Sequence, residues 1–298
     1  MTHAPIDLRF EHLGIAVRNI DTALAFFAGV LPIELATAKR RGFSEDVNWC
    51  SFHLGPFKIV LLEAARANSG VGRFLAQRGE GMHHVCLHTA HLEPLVAGLE
   101  ASGLRIVDRR TIPDGRRTAS IAPRHAHGVL FQIWQAAPTA APERSTPIPY
   151  RLRSGETIQL YVDHISVAVR DLETTLAFFH RHFPIRTVAE THLGYDGTFR
   201  FTSFFLDTCR IEVIAQDAEQ PSGFVSRFLE RRGEGLHHLS IDVDRLDPLL
   251  AQLEADGVRI VDRASISDHW KTAFISPRSA HGVLIQFWQT PYFGGREP

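Results

Sequence analysis

The chain has 298 residues, 44% of them hydrophobic and 22% charged, with a formal net charge of −1, which suits one large core or two ordinary ones. The near-zero charge leaves no broad basic surface for nucleic acid. No apolar run approaches the roughly 20 residues of a membrane span, and the start lacks the apolar segment of a secretory signal, so a cytoplasmic protein is expected.

From the N-terminus, HLGIAV at 12–17 alternates as a strand does, and Asn19 to Val30 carries helical spacing (Ile20, Ala23, Leu24, Phe27) behind an N-cap at Asn19 or Asp21. Strands at about 47–54 and 57–63 follow, split by the turn signal Gly55-Pro56. HHVCLHT, the helical HLEPLVAGLEASG ending at Gly103, and the strands LRIVD, RTASIAP and GVLFQIWQ repeat that order. Each stretch is a βαβββ unit.

The whole arrangement then recurs. RFLAQRGEGMHHVCL at 73–87 returns as RFLERRGEGLHHLSI at 227–241, and HGVLFQIWQ at 127–135 as HGVLIQFWQ at 281–289, both at an offset of 154. HLGIAVRNIDTALAFF at 12–27 matches HISVAVRDLETTLAFF at 164–179 at an offset of 152. AAPTAAPERSTPIP at 136–149 is rich in Pro and Ala without apolar periodicity, as a linker is. The expected organisation is an N-terminal domain at 1–135, a linker at 136–155 and a C-terminal domain at 156–298. The expected class is α+β, with four βαβββ units in two cup-shaped mixed sheets and helices outside.

Cys50, Cys86 and Cys209 are too few and too far apart for a disulfide framework or a Cys-rich zinc site, so a metal is expected on His, carboxylate or amide groups. His12 and His84 open equivalent strands in the first half, and His164 and His238 in the second. Each last strand holds an amide in an apolar run, Gln132 and Gln286, where a polar group needs a partner. Glu212 lies between Ile211 and Val213, whereas the first half has Val60 at that place, and Glu63 alternates to the other face. His164, Glu212, His238 and Gln286 therefore suit one divalent ion, Zn, Ni, Co, Mn or Fe, with positions open for substrate oxygens. The set His12, His84 and Gln132 lacks the carboxylate and is expected to hold an ion weakly or not at all. Each histidine taken singly reads more readily as a satisfied core residue than as a ligand, and it is the four positions in register that favour a metal. His83 and His237 point to the opposite face and read as structural, Trp134 as core packing, and the GEG turns as backbone punctuation with no phosphate-loop Lys-Ser/Thr. Phe201, Ser240 and Trp288 are candidates to line a substrate cavity, although packing explains the last two as well. Arg200 and Lys271 are candidates to meet a substrate anion, although such side chains usually face solvent.

DHISVAV, RFLERRGEGLHHLSIDVD, GVRIVD and SPRSAHGVLIQFWQ, with their first-half counterparts, resemble methylmalonyl-CoA epimerase and, more widely, the vicinal oxygen chelate superfamily that includes glyoxalase I and extradiol dioxygenases. The resemblance implies chelation of vicinal substrate oxygens on a metal held at His164, Glu212, His238 and Gln286. It also implies an internal pseudo-dimer of the two halves, with a homodimer open. The epimerase has Glu where this chain has Gln286, and its second carboxylate base is absent from FRFTSFFL, which leaves Glu212 as the one acid for proton transfer. The expected activity is a metal-dependent isomerase, epimerase or lyase acting next to the carbonyl of a small oxo-acid or acyl thioester. The alternatives are a non-haem iron dioxygenase of the ring-cleaving or 4-hydroxyphenylpyruvate type, and a metal-free sequestering protein.

Overall fold

The computed structural model describes residues 7–43, 46–137, 146–187, 189–220 and 222–293. The first half runs β1 (Arg9–Val17), α1 (Ile20–Val30), β2 (Glu34–Arg41), β3 (Val47–Leu54), β4 (Phe57–Ala64), α2 (Gly70–Arg78), β5 (Gly81–Thr89), α3 (Leu92–Ala101), β6 (Ile106–Thr111), β7 (Arg117–Ile121) and β8 (Phe131–Gln135). The second runs β9 (Ile148–Arg151), β10 (Thr157–Val169), α4 (Leu172–His182), β11 (Ile185–Thr187), β12 (His192–Leu193), β13 (Phe199–Leu206), β14 (Cys209–Gln216), α5 (Phe224–Arg232), β15 (Gly235–Val243), α6 (Leu246–Ala255), β16 (Ile260–Ser265), β17 (Lys271–Ile275) and β18 (Ile285–Gln289). Of the expected linker, 138–145 lies outside the described residues. Its remainder includes β9, which pairs antiparallel with the start of β10.

The two sheets share one strand order. The first is β2-β3-β4-β1-β5-β8-β7-β6 and the second β11-β13-β14-β10-β15-β18-β17-β16, with β9 and β12 paired outside that path. Both are mixed, because β5 runs parallel to β8 and β15 to β18 while the hairpins on either side are antiparallel. The first strand of each βαβββ unit therefore sits at the sheet's centre beside its counterpart. Such a strand is covered on both faces, which is why HLGIAV and HISVAV are buried throughout. The helices start where capping chemistry allows. Asn19 accepts from the Thr22 N–H and Asp171 from the Thr174 N–H, each satisfying an orphan donor of a helix's first turn. Two helices that apolar spacing did not reveal, α2 and α5, carry the RFLAQR and RFLERR segments, with Ser69 capping the first.

Contact density divides the chain differently from its sequence repeat. One compact unit is Met1–Leu13, His83–Pro142 and Ile165–His237, and the other is Gly14–Met82, Glu143–His164 and His238–Pro298. Each unit thus combines one βαβββ unit from either half. In the first, the His127–Gly128 turn reaches the Gly233–Gly235 turn, with His127 Nδ1 3.0 Å from the Thr175 hydroxyl and 3.4 Å from the Glu234 carboxylate. In the second, His281 Nδ1 lies 3.3 Å from the Glu80 carboxylate, and the His281 ring meets the edge of Phe26. The two acids also anchor strand ends, Glu80 accepting from the Arg18 N–H at 2.7 Å and Glu234 from the Arg170 N–H at 2.8 Å. The GEG turns are therefore more than punctuation: each receives an HG turn from the other half. Among the described residues no helix is long and apolar enough to cross a membrane.

Candidate metal centre

β10 and β15 bring His164 and His238 together, with Nε2 atoms 3.2 Å apart and ring centroids 5.3 Å apart. Both rings are buried. The Asp163 carboxylate lies 2.7 Å from His164 Nδ1, so a proton on Nδ1 is donated to it and the Nε2 lone pair is left toward His238. A carboxylate behind a histidine fixes tautomer and ring orientation in this way at metal sites. Glu212, paired across β13–β14 with Ser203, completes a group with His164 and His238 in which one ligand atom from each lies within 4.8 Å of the others.

The parallel register sets Ser240 beside Gln286, and alternation along β15 puts Ser240 on the His238 face. The buried Gln286 amide donates its NH₂ to the Thr272 hydroxyl at 3.2 Å, which leaves the carbonyl oxygen as its acceptor end. Ser240 Oγ is buried without a hydrogen-bond partner. Buried imidazoles with converging Nε2 atoms, one carboxylate, an amide oxygen and an unsatisfied hydroxyl form a donor set that fits a borderline divalent ion.

The first half repeats the pair. His12 Nε2 lies 3.1 Å from His84 Nε2, His12 Nδ1 contacts the Glu11 carboxylate, and His84 Nδ1 lies 2.9 Å from His83 Nδ1. Burial, reinforced by His12 and His83, holds the His84 pKa well below the usual imidazole range and keeps the ring neutral. Gln132 sits beside Cys86 in register. At the place of Glu212 the sheet carries Val60, paired with Ser51 as Glu212 is with Ser203. Glu63 is engaged elsewhere, accepting from the Ile20 N–H, the Asn48 amide and Lys39.

His237 packs against Phe224 and Phe228, and burial pushes its pKa down to about 4, as it does for His83. Phe201 packs with Phe199 against the Val225–Leu229 cluster. Trp288 meets Trp270 edge-on, Arg200 pairs with Asp217 at 2.8 Å, and Lys271 pairs with Asp247 at 2.6 Å. Trp134 lies under the Arg116 guanidinium. The sequence reading passed over the carboxylates behind the first histidines, Glu11 and Asp163, although an acid directly before each strand-opening His was visible. It also passed over a second group with ligand atoms within 4.8 Å of one another, Glu11, Cys86 and His88.

Residues 11–122 and 163–274 each match the glyoxalase/bleomycin resistance protein/dioxygenase superfamily. The chain belongs to that superfamily and carries its domain twice. Superfamily members use a divalent metal, and they include epimerases and dioxygenases. Among its relatives, the uncharacterized protein YqjC of Bacillus subtilis (strain 168) is 34% identical over 128 residues, 42% of this chain and 90% of that protein. The mitochondrial methylmalonyl-CoA epimerase of Bos taurus is 28% identical over 131 residues, 43% of this chain and 74% of that protein. A solved variant of 4-hydroxymandelate synthase from Streptomyces coelicolor matches 97% of this chain and 95% of its own at a TM-score of 0.62 and 15% identity, a likeness of fold.

Proposed function

We propose that the second half binds one divalent ion, Zn, Ni, Co, Mn or Fe, on His164, Glu212, His238 and Gln286. We propose further that it acts as an isomerase, epimerase or lyase at the carbon next to the carbonyl of a small oxo-acid or acyl thioester. The observation that carries this reading is the convergence of two buried Nε2 atoms on a carboxylate, with a second carboxylate behind His164. The methylmalonyl-CoA epimerase relatives support the acyl-thioester class. In this reading each sheet is one domain of the family, and the first-half set His12, His84 and Gln132 is the weaker one.

A bound divalent ion supplies Lewis-acid polarisation of a substrate carbonyl. The chain's residues do the rest. Asp163 holds His164 with Nε2 toward the ion, and Gln286 offers an amide oxygen that binds but takes no proton. Glu212 receives the proton from the carbon beside the carbonyl on a carboxylate oxygen and returns it, the one general base among these four. Phe201 and Trp288 are proposed to flank an apolar substrate part. Arg200 and Lys271 are proposed to reach a substrate anion by exchanging their acidic partners.

The test is metal content together with solvent-deuterium exchange at the substrate α-carbon, using a short oxo-acid and methylmalonyl-CoA as probes. His238→Ala should remove the metal bound by the second half, and chelation should abolish exchange. Glu212→Gln should slow exchange by about 10²–10⁴-fold, the usual contribution of a positioned base, while the chain still takes up metal. Full exchange in Glu212→Gln would refute the base assignment. The two-His, one-carboxylate set also favours a second reading as an iron dioxygenase, which oxygen consumption dependent on iron would establish. A chain that binds small acids but takes up no metal at His238 would be a sequestering protein.

A further inference from the structure

We propose that the first half holds a second, chemically different metal site, built on Glu11, Cys86 and His88, and that its preferred ion is Zn²⁺. These three residues belong to one compact unit, and one ligand atom from each lies within 4.8 Å of the others. A tetrahedral zinc with sulfur, imidazole and carboxylate ligands sets those atoms about 3.3–3.7 Å apart, so small side-chain adjustments close the site. Alternation along β5 places Cys86 and His88 on one face. The Cys86 side chain is fully buried, and Glu11 and His88 are half-buried, which suits an ion taken out of water and leaves a fourth position on the more open side.

The site differs from the superfamily-type ligand positions of this half. His12 and His84 face each other through Nε2, and Glu11 contacts the far nitrogen of His12. Glu11 therefore both orients His12 and supplies a ligand atom to the three-residue group. The other half has no such set. At the corresponding positions it carries Asp163, Ser240 and Asp242, two hard acids and an alcohol where the first half has an acid, a thiol and an imidazole. The halves differ in opposite senses: the second has Glu212 where the first has Val60, and the first has a thiol where the second has Ser240. Thiolate and imidazole together favour Zn²⁺ over harder ions. Metal binding sends the Cys86 thiol proton to solvent and forms the metal–sulfur bond, with no change of oxidation state.

The test is Co²⁺ and Zn²⁺ titration of the full chain, read by absorption and by metal stoichiometry. Co²⁺ on Cys86 gives a thiolate-to-cobalt charge-transfer band in the near ultraviolet, which nitrogen and oxygen ligands do not give. The band should appear in the wild-type chain and in His238→Ala, and vanish in Cys86→Ser, with a loss of about one equivalent of zinc. Cys86→Ser and His88→Asp import the residues that the second half already accommodates, so the fold is expected to persist, and circular dichroism checks it. His88→Asp should weaken zinc binding while sparing the equivalent lost in His238→Ala. A wild-type chain without the band, or a band that survives Cys86→Ser, would overturn the second site and leave the His238 reading untouched. A wild-type chain that shows the band but holds no equivalent of metal lost in His238→Ala would do the reverse.

Discussion

Gly282→Ala tests whether the contact between the HG and GEG turns is a fixed constraint of the fold. Gly282 has φ +79°, and a Cβ built on it would overlap the carbonyl carbon and oxygen of Glu80 and lie 2.8 Å from the Gly81 nitrogen. The neighbours are backbone atoms, which cannot rotate aside. A left-handed residue with a Cβ costs about 1–2 kcal/mol, and forcing an extra carbon into a packed site adds about 1–3 kcal/mol, so the substitution should destabilise by about 2–5 kcal/mol. Gly257 supplies the control: its φ is +77°, but nothing lies within 4 Å of an added Cβ. Gly257→Ala should therefore show only the backbone cost of about 1–2 kcal/mol. Urea unfolding followed by circular dichroism, compared at unchanged m, measures the difference. If Gly282→Ala cost no more than Gly257→Ala, the close approach would be no constraint, and the account of why an HG turn faces each GEG turn would fail.

Two further outcomes follow from buried groups. Asp163→Asn keeps the shape beside His164 but weakens the charge that orients its Nδ1–H, so metal affinity in the second half should fall about 10–100-fold in competition with a chelator, whereas an unchanged affinity would remove Asp163 from the site. His83 and His237 are held down to about 4 by burial, opposed only partly by the charges of Asp108 and Glu212. An unfolded histidine titrates near 6.5, so between about pH 6.5 and 4 the unfolded chain takes up protons that the folded one refuses. Stability is thus full above pH 6.5 and falls as pH drops, by up to about 3 kcal/mol for each histidine at pH 4. A melting temperature constant from pH 7 to 4.5 would contradict this.

The repeat made most of the architecture legible, because strand order is set by units whose apolar patterns recur at fixed offsets. Period-2 alternation in HLGIAV and the spacing after Asn19 placed the central strand and its helix, and the structure selects Asn19 over Asp21 as the cap. What stayed hidden has physical causes. The helix α2 has three glycines in or directly after it and α5 has three arginines, and each nine-residue helix shows a single apolar set (Val71, Phe74, Leu75 and Val225, Phe228, Leu229), too short a stripe for spacing alone to mark a helix. The exchange of βαβββ units between compact units was hidden as well, since repeat offsets say which segments are alike and not which of them touch.

The same distinction separates what each half's chemistry owes to the scaffold from what it owes to individual residues. The scaffold gives both halves a pair of facing Nε2 atoms at nearly equal separation, 3.1 and 3.2 Å, each with an acid behind its first histidine. Two converging imidazoles alone bind a divalent ion weakly, and the choice of third donor decides ion and reaction. In the site proposed for the second half that donor is Glu212, whose carboxylate would accept a proton; the first half has Val60 at that place, and its clustered donors are Glu11, Cys86 and His88. A Val60→Glu substitution would restore the carboxylate opposite Ser51, in the register Glu212 keeps with Ser203. It should give the His12 and His84 pair a His238-independent equivalent of Co²⁺ that lacks the thiolate band. If that chain folds and no such equivalent is gained, the difference between the halves does not lie in this one carboxylate.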